Sequence, residues 1–75
     1  EKFGERTAVQ AKRHKSKVGN RAVQEVVASM KYYNAHKGTV VTTGQFTKQA
    51  VTLAATNGIE LISGNELKEL ISRYL

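Results

Sequence analysis

The sequence contains no cysteine, no proline, no tryptophan and no aspartate. Without cysteine neither a disulfide framework nor a thiolate metal site can form, and the redox compartment is left open. Long apolar runs are missing as well. None approaches the roughly 20 residues that span a bilayer, and the amino terminus lacks the apolar segment of a signal peptide. A soluble, cytoplasmic protein with no membrane partner is therefore expected. Aromatic residues make up only 7% of the chain against 40% apolar residues, so a core must come chiefly from Val, Leu, Ile and Ala. That composition belongs to a folded chain and not to a disordered one. Neither a Walker-type nor a dinucleotide glycine pattern occurs, which leaves nucleotide hydrolysis and hydride transfer without support.

What is present is positive charge. The 75 residues carry a net charge of +6, enough chain for one small domain of marginal stability. The charge is uneven, with Lys12, Arg13, Lys15, Lys17 and Arg21 lying close together with His14 and no acid among them. Such a field favours polyanions, because neutralised phosphates release condensed counterions. A solvated basic loop is the plainer reading of the same cluster. Membrane headgroups fit less well, since the cluster is not on an amphipathic helix with large apolar anchors.

Along the chain, apolar periodicity and turn residues mark six elements. Gly4 suits a hairpin turn, which makes residues 1–3 the end of an earlier strand. Residues 7–13 alternate as a strand, with Val9 and Ala11 expected in the core and Gln10 and Lys12 together on the other face. A basic loop spans residues 14–19. Ala22, Val23, Val26, Val27 and Met30 recur at helical spacing, with Gly19 or Asn20 at the start, an end at Tyr33 or Asn34, and Gly38 beyond it. Of the adjacent Tyr32 and Tyr33, one is expected in the core. The β-branched run TVVTT over residues 39–43 reads as a buried strand closed by Gly44. Phe46, Ala50, Leu53 and Ala54 form a second helical stripe capped by Thr47 and stopped at Asn57-Gly58. Residues 59–62 form a third strand. Ser63 and Glu66 have the spacing of a capping box, and Leu67, Leu70, Ile71 and Tyr74 line one face of a last helix. The order βαβαβα, with short connections, implies an α/β fold with a mainly parallel sheet flanked by helices. Functional groups in such sheets gather at the carboxyl ends of the strands. Residues 13–19 and 42–46 lie there.

On residues alone, Gln-x-Lys on a strand is weak evidence for catalysis, and the basic loop speaks more for nucleic-acid binding than for chemistry. His14 and His36 are too few and too separated to suggest zinc. Glu25, Glu60, Glu66 and Glu69 occupy ordinary polar positions. Thr42, Thr43 and Gly44 suit either a phosphate-contacting turn or a plain strand-to-helix turn.

Three blocks, VQAKRHKSKVGNRAVQEV, GTVVTTGQFTKQAV and GIELISGNELKELI, together resemble the catalytic domain of the Mrr-type restriction endonucleases. These are a branch of the PD-(D/E)xK nucleases in which Gln replaces the motif's acidic residue. The resemblance implies a restriction-endonuclease-like fold and Mg²⁺-assisted hydrolysis of DNA phosphodiesters. Gln10 then matches the metal-holding position through its side-chain oxygen, the Ala11 carbonyl is a further metal ligand, and Lys12 stabilises charge on the attacked phosphate. Gln24 matches a polar helix position of related sites, although an exposed helix Gln explains it as well. Arg13, His14, Lys15, Lys17 and Arg21 are the expected contacts to the DNA partner. The family's motif opens with an Asp on a preceding strand, and this sequence has none. Together with the missing initiating Met, this leads to the expectation that residues 1–75 are the C-terminal part of one nuclease domain, inactive alone and, lacking that anionic ligand, holding Mg²⁺ weakly or not at all. A sheet edge left open in this way suits homodimerisation. The competing expectation is a DNA-binding module on a degenerate nuclease fold.

Overall fold

A computed structural model describes residues 6–12 and 17–74. The strand end expected at residues 1–3 and the candidate contacts Arg13, His14 and Lys15 lie outside the described residues. The elements are β1 (Thr7–Lys12), α1 (Asn20–Tyr33), β2 (Lys37–Thr42), α2 (Lys48–Asn57), β3 (Ile59–Ile62) and α3 (Gly64–Tyr74). The βαβαβα order is the expected one. The three strands form one parallel sheet in the order β1-β2-β3, and helices flank it.

β2 is central because its β-branched residues suit a strand with neighbours on both edges. Ala8 lies beside Gly38, Gln10 beside Val40 and Lys12 beside Thr42. α1 and α2 cover this side of the sheet and touch each other. The core there consists of Val18, Ala22, Val23 and Val26, then Val40, Ala50, Ala54 and Ile59. Burying a Val side chain contributes about 1.5–3 kcal/mol, and the small Ala50 and Ala54 let α2 approach closely. Val18 forms a bridge with Phe46, with its amide donating to the Gln45 carbonyl at 2.7 Å. The connections that follow β1 and β2 are thereby held side by side at the carboxyl edge of the sheet.

Several local expectations are corrected. The face of β1 covered by α1 carries Ala8, Gln10 and Lys12, while Val9 is 64% exposed and Ala11 is exposed. The alternation is as expected but its sense is reversed, because α1 brings a carboxylate over Gln10 and Lys12, so their polar ends are satisfied on the helix side. Tyr32 and Tyr33 are both exposed, at 82% and 62%. Their rings meet edge-on at 4.8 Å, and neither enters the core. α1 ends where expected, at Tyr33 with Asn34 as its cap. Asn34 adopts the left-handed conformation at φ 54°, and the Ala35 amide donates back to the Met30 carbonyl at 2.8 Å, a closure Asn tolerates. Gly38 lies beyond the helix, as expected, within β2, which starts at Lys37 and not at Thr39. A Cβ at Gly38 would come within 2.6 Å of Met30 Sδ. Phe46 precedes α2 and does not belong to it.

Two helix starts follow the sequence. Thr47 Oγ1 accepts from the Ala50 amide at 3.1 Å, and Gly58 closes α2 at φ 66°. The Thr47→Ala variant is expected to lose about 1 kcal/mol of stability. Urea unfolding would show this as a lower midpoint with an unchanged slope, and an unchanged midpoint would remove the cap from the account. At α3, Glu66 Oε1 accepts from both the amide and the hydroxyl of Ser63, at 3.3 and 3.2 Å. The Glu66 half of the expected capping box is present, with the Ser63 hydroxyl donating to the same carboxylate. The Leu67, Leu70 and Ile71 stripe is only loosely covered, with Leu70 and Ile71 exposed.

Candidate active site

Alternation along β1 turns Gln10 and Lys12 toward α1. Ala22, Val23 and Val26 face the core, and Glu25, on one flank of that stripe, meets β1. Gln10 Nε2 donates to Glu25 Oε1 at 2.9 Å, and Lys12 Nζ lies 3.3 Å from the same oxygen. The Gln10 amide, followed by the Lys12 ammonium, holds the Glu25 carboxyl below the ordinary glutamate range. Arg21, one helical turn earlier, adds its positive charge to the same effect. The cluster is open to solvent, with the Lys12 and Glu25 side chains 31% and 43% exposed, and so remains accessible to a polyanion.

The main chain of β1 adds another oxygen. The Lys12 carbonyl accepts from the Thr43 amide at 3.3 Å, and the Arg6 carbonyl accepts from the His36 and Lys37 amides at 2.8 and 3.2 Å. Successive carbonyls of a strand point to opposite sides. The even-numbered carbonyls of β1 therefore face β2, and the Ala11 carbonyl faces outward at the edge of the described sheet.

Mg²⁺ takes oxygen ligands, keeps several waters, and usually needs only one or two carboxylates besides substrate phosphate. The Gln10 side-chain oxygen and the Ala11 carbonyl are of this type, and Glu25 is the carboxylate bonded to the pair. These oxygens are of the type a hard divalent cation takes, while Glu25 Oε1 is already engaged by Gln10 and Lys12. Among the described residues no group of three or more His, Cys, Asp or Glu side chains is placed to hold a metal by itself.

Glu25 was not singled out by the sequence, whereas Gln24 was. Gln24 is exposed and lines a shallow depression with Val27, Lys31, Leu53 and Asn57, toward α2. The structure brings Glu25, and not Gln24, to Gln10 and Lys12. The two residues flank the apolar stripe of α1 on opposite sides. Which flank meets β1 is decided by where α2 docks, and no local signal in the sequence carries that information.

Lys17 and Arg21 are exposed at the same carboxyl edge of the sheet. Lys17 lines a cleft of about 420 Å³ with Gly44, Gly64 and Lys68. Lys68, on α3, is a cation that sequence reasoning did not connect with this edge. The turn after β2 is closed by its own side chain, since the Gly44 amide donates to Thr42 Oγ1 at 3.1 Å. The Gly64 amide donates to the Gly44 carbonyl at 2.8 Å. Within the 42–44 turn the Thr43 amide is bonded to the Lys12 carbonyl and the Gly44 amide to Thr42, as in a plain strand-to-helix turn. His36 is exposed elsewhere, its amide bonded to Arg6.

The family model for the Mrr catalytic domain, described as a restriction endonuclease, matches residues 1–71. No curated protein and no solved structure matches the chain.

Proposed function

The chain belongs to the restriction endonuclease family of Mrr catalytic domains, and from this premise we propose that its site serves Mg²⁺-dependent hydrolysis of DNA phosphodiesters. The observation that carries the reading is the convergence of Gln10 and Lys12 on Glu25 at the carboxyl end of β1. In the reaction a water oxygen bonds to phosphorus, one phosphorus–oxygen ester bond breaks, the water loses a proton and the leaving oxygen gains one. Gln10, through its side-chain oxygen, and Ala11, through its carbonyl, would hold the cation. When bound, Mg²⁺ supplies Lewis-acid polarisation of the phosphate and a more acidic water. Lys12 lies beside these oxygens and offsets the negative charge that builds on the phosphate oxygens during attack.

Arg13, His14, Lys15, Lys17 and Arg21 hold the DNA backbone in this reading. Phosphate contacts position the duplex without reading its sequence. Titration of the chain with a short duplex at two salt concentrations tests this. The expected amide shifts fall between Lys17 and Arg21 and weaken with salt, and replacing Lys17 or Arg21 by Ala lowers the salt slope by about 1 each. An absence of duplex binding at both salt concentrations overturns the assignment.

A further inference from the structure

A glutamine amide has two ends of opposite character, and only one of them suits a cation. The oxygen is an acceptor and the nitrogen a donor, and in a freely rotating side chain the two exchange places. Glu25 removes that freedom. Its carboxylate oxygens only accept, so the Gln10 end that meets Glu25 Oε1 at 2.9 Å must be the nitrogen. The Gln10 oxygen is consequently turned away from Glu25. Lys12, 3.3 Å from the same carboxylate oxygen, also only donates. It cannot displace Gln10 by offering an acceptor, and its charge keeps the carboxylate in place.

We propose that Glu25 is a positioning residue: its carboxylate fixes the amide orientation of Gln10, so that the side-chain oxygen is presented to a hard divalent cation. The cation half of this inference rests on the metal reading of Gln10 above, while the orientation half stands on geometry alone. A neutral glutamine serves in a cation site only if its oxygen faces the ion. The reversed amide would set two N–H groups against the positive charge. A carboxylate at position 10 would need no such orientation, whereas this chain with Gln10 does. Outer partners that orient a metal ligand in this way typically change metal affinity by about 10–100-fold when removed.

The test uses this chain and the variants Glu25→Ala and Glu25→Gln. Glu25 is exposed, so neither change disturbs the core. In the metal-free protein, ¹⁵N relaxation of the Gln10 side-chain amide is expected to report a rigid group. In Glu25→Ala the order parameter should fall below about 0.6, the flexible range. Glu25→Gln, which offers either a donor or an acceptor, should lie between them. Equal Gln10 order in the native chain and Glu25→Ala overturns the positioning role.

Titration with Mn²⁺ is the second arm. Broadening at Gln10 and at the Ala11–Lys12 amides is expected, with the half-effect concentration raised about 10-fold or more in Glu25→Ala. Loss of Gln10 order with an unchanged Mn²⁺ response would overturn the link between orientation and cation binding. No Mn²⁺ broadening at these residues in the native chain would instead overturn the metal reading itself, and the order parameters would still decide the orientation.

Discussion

Replacing Lys12 by Ala is expected to lower DNA cleavage by about 10²–10³-fold, the usual loss when a preorganised charge aimed at the transition state is removed. Duplex affinity should change by less than about twofold, because binding is shared among several phosphate contacts. The measurement is cleavage of a duplex substrate under single-turnover conditions with Mg²⁺, beside a binding titration, in the natural protein that carries this domain. The fold is not at risk: Lys12 is half-buried at the edge of the described sheet, and among the described residues it pairs with the exposed Glu25. Exposed pairs of this kind contribute little to stability. Lys12→Arg should recover only part of the rate, since a planar fork does not reproduce a compact ammonium at the same place. Native-like cleavage by Lys12→Ala would remove Lys12 from the chemistry. A native protein that binds duplex DNA without cleaving it would favour the non-catalytic DNA-binding module.

The second large effect is structural. Gly64→Ala is expected to destabilise the fold by about 1–3 kcal/mol, the range for an added carbon in a packed position. A Cβ at Gly64 collides with the Thr43 carbonyl oxygen. That carbonyl is backbone and cannot swing aside like the end of a side chain. It follows β2 directly, where the Thr43 amide is bonded to Lys12 and the Gly44 carbonyl accepts from Gly64 itself. Relief of the collision must move either the start of α3 or the turn after β2. The intrinsic helix preference of Ala over Gly, about 1 kcal/mol in a helix interior, opposes only part of this. For a domain of this size each kcal/mol lowers the melting temperature by about 4–8 °C. Thermal unfolding followed by circular dichroism would show it, and a melting temperature equal to the native one would sink the argument. Gly38→Ala provides the contrast. Its new Cβ meets the side-chain atoms Met30 Sδ and Ile59 Cδ1, which can give way, so the smaller loss is expected there.

Much of the architecture was legible in the sequence because the signals that mark it are local. Helical spacing of Ala22, Val23 and Val26 located α1, the β-branched run located β2, and Thr47 and Gly58 bounded α2 through hydrogen bonds and backbone geometry spanning only a few residues. The pairing of Gln10 with Lys12 was legible for the same reason, since alternation puts residues two apart on one face. The errors share a different cause. Whether that face looks toward α1 or away from it, whether Tyr32 or Tyr33 is buried, and where β2 begins all depend on what packs against them.

By itself the sequence determined the element order, the parallel sheet, the basic carboxyl edge and the Gln10 and Lys12 pair, because periodicity, capping and charge are properties of neighbouring residues. Only the tertiary structure decided that Glu25, 15 residues beyond Gln10, meets Gln10 and Lys12, and that Lys68 of α3 joins Lys17 in one cleft. Both depend on how helices dock on the sheet. That docking is set by the whole core packing at once, and no short stretch of the chain encodes it.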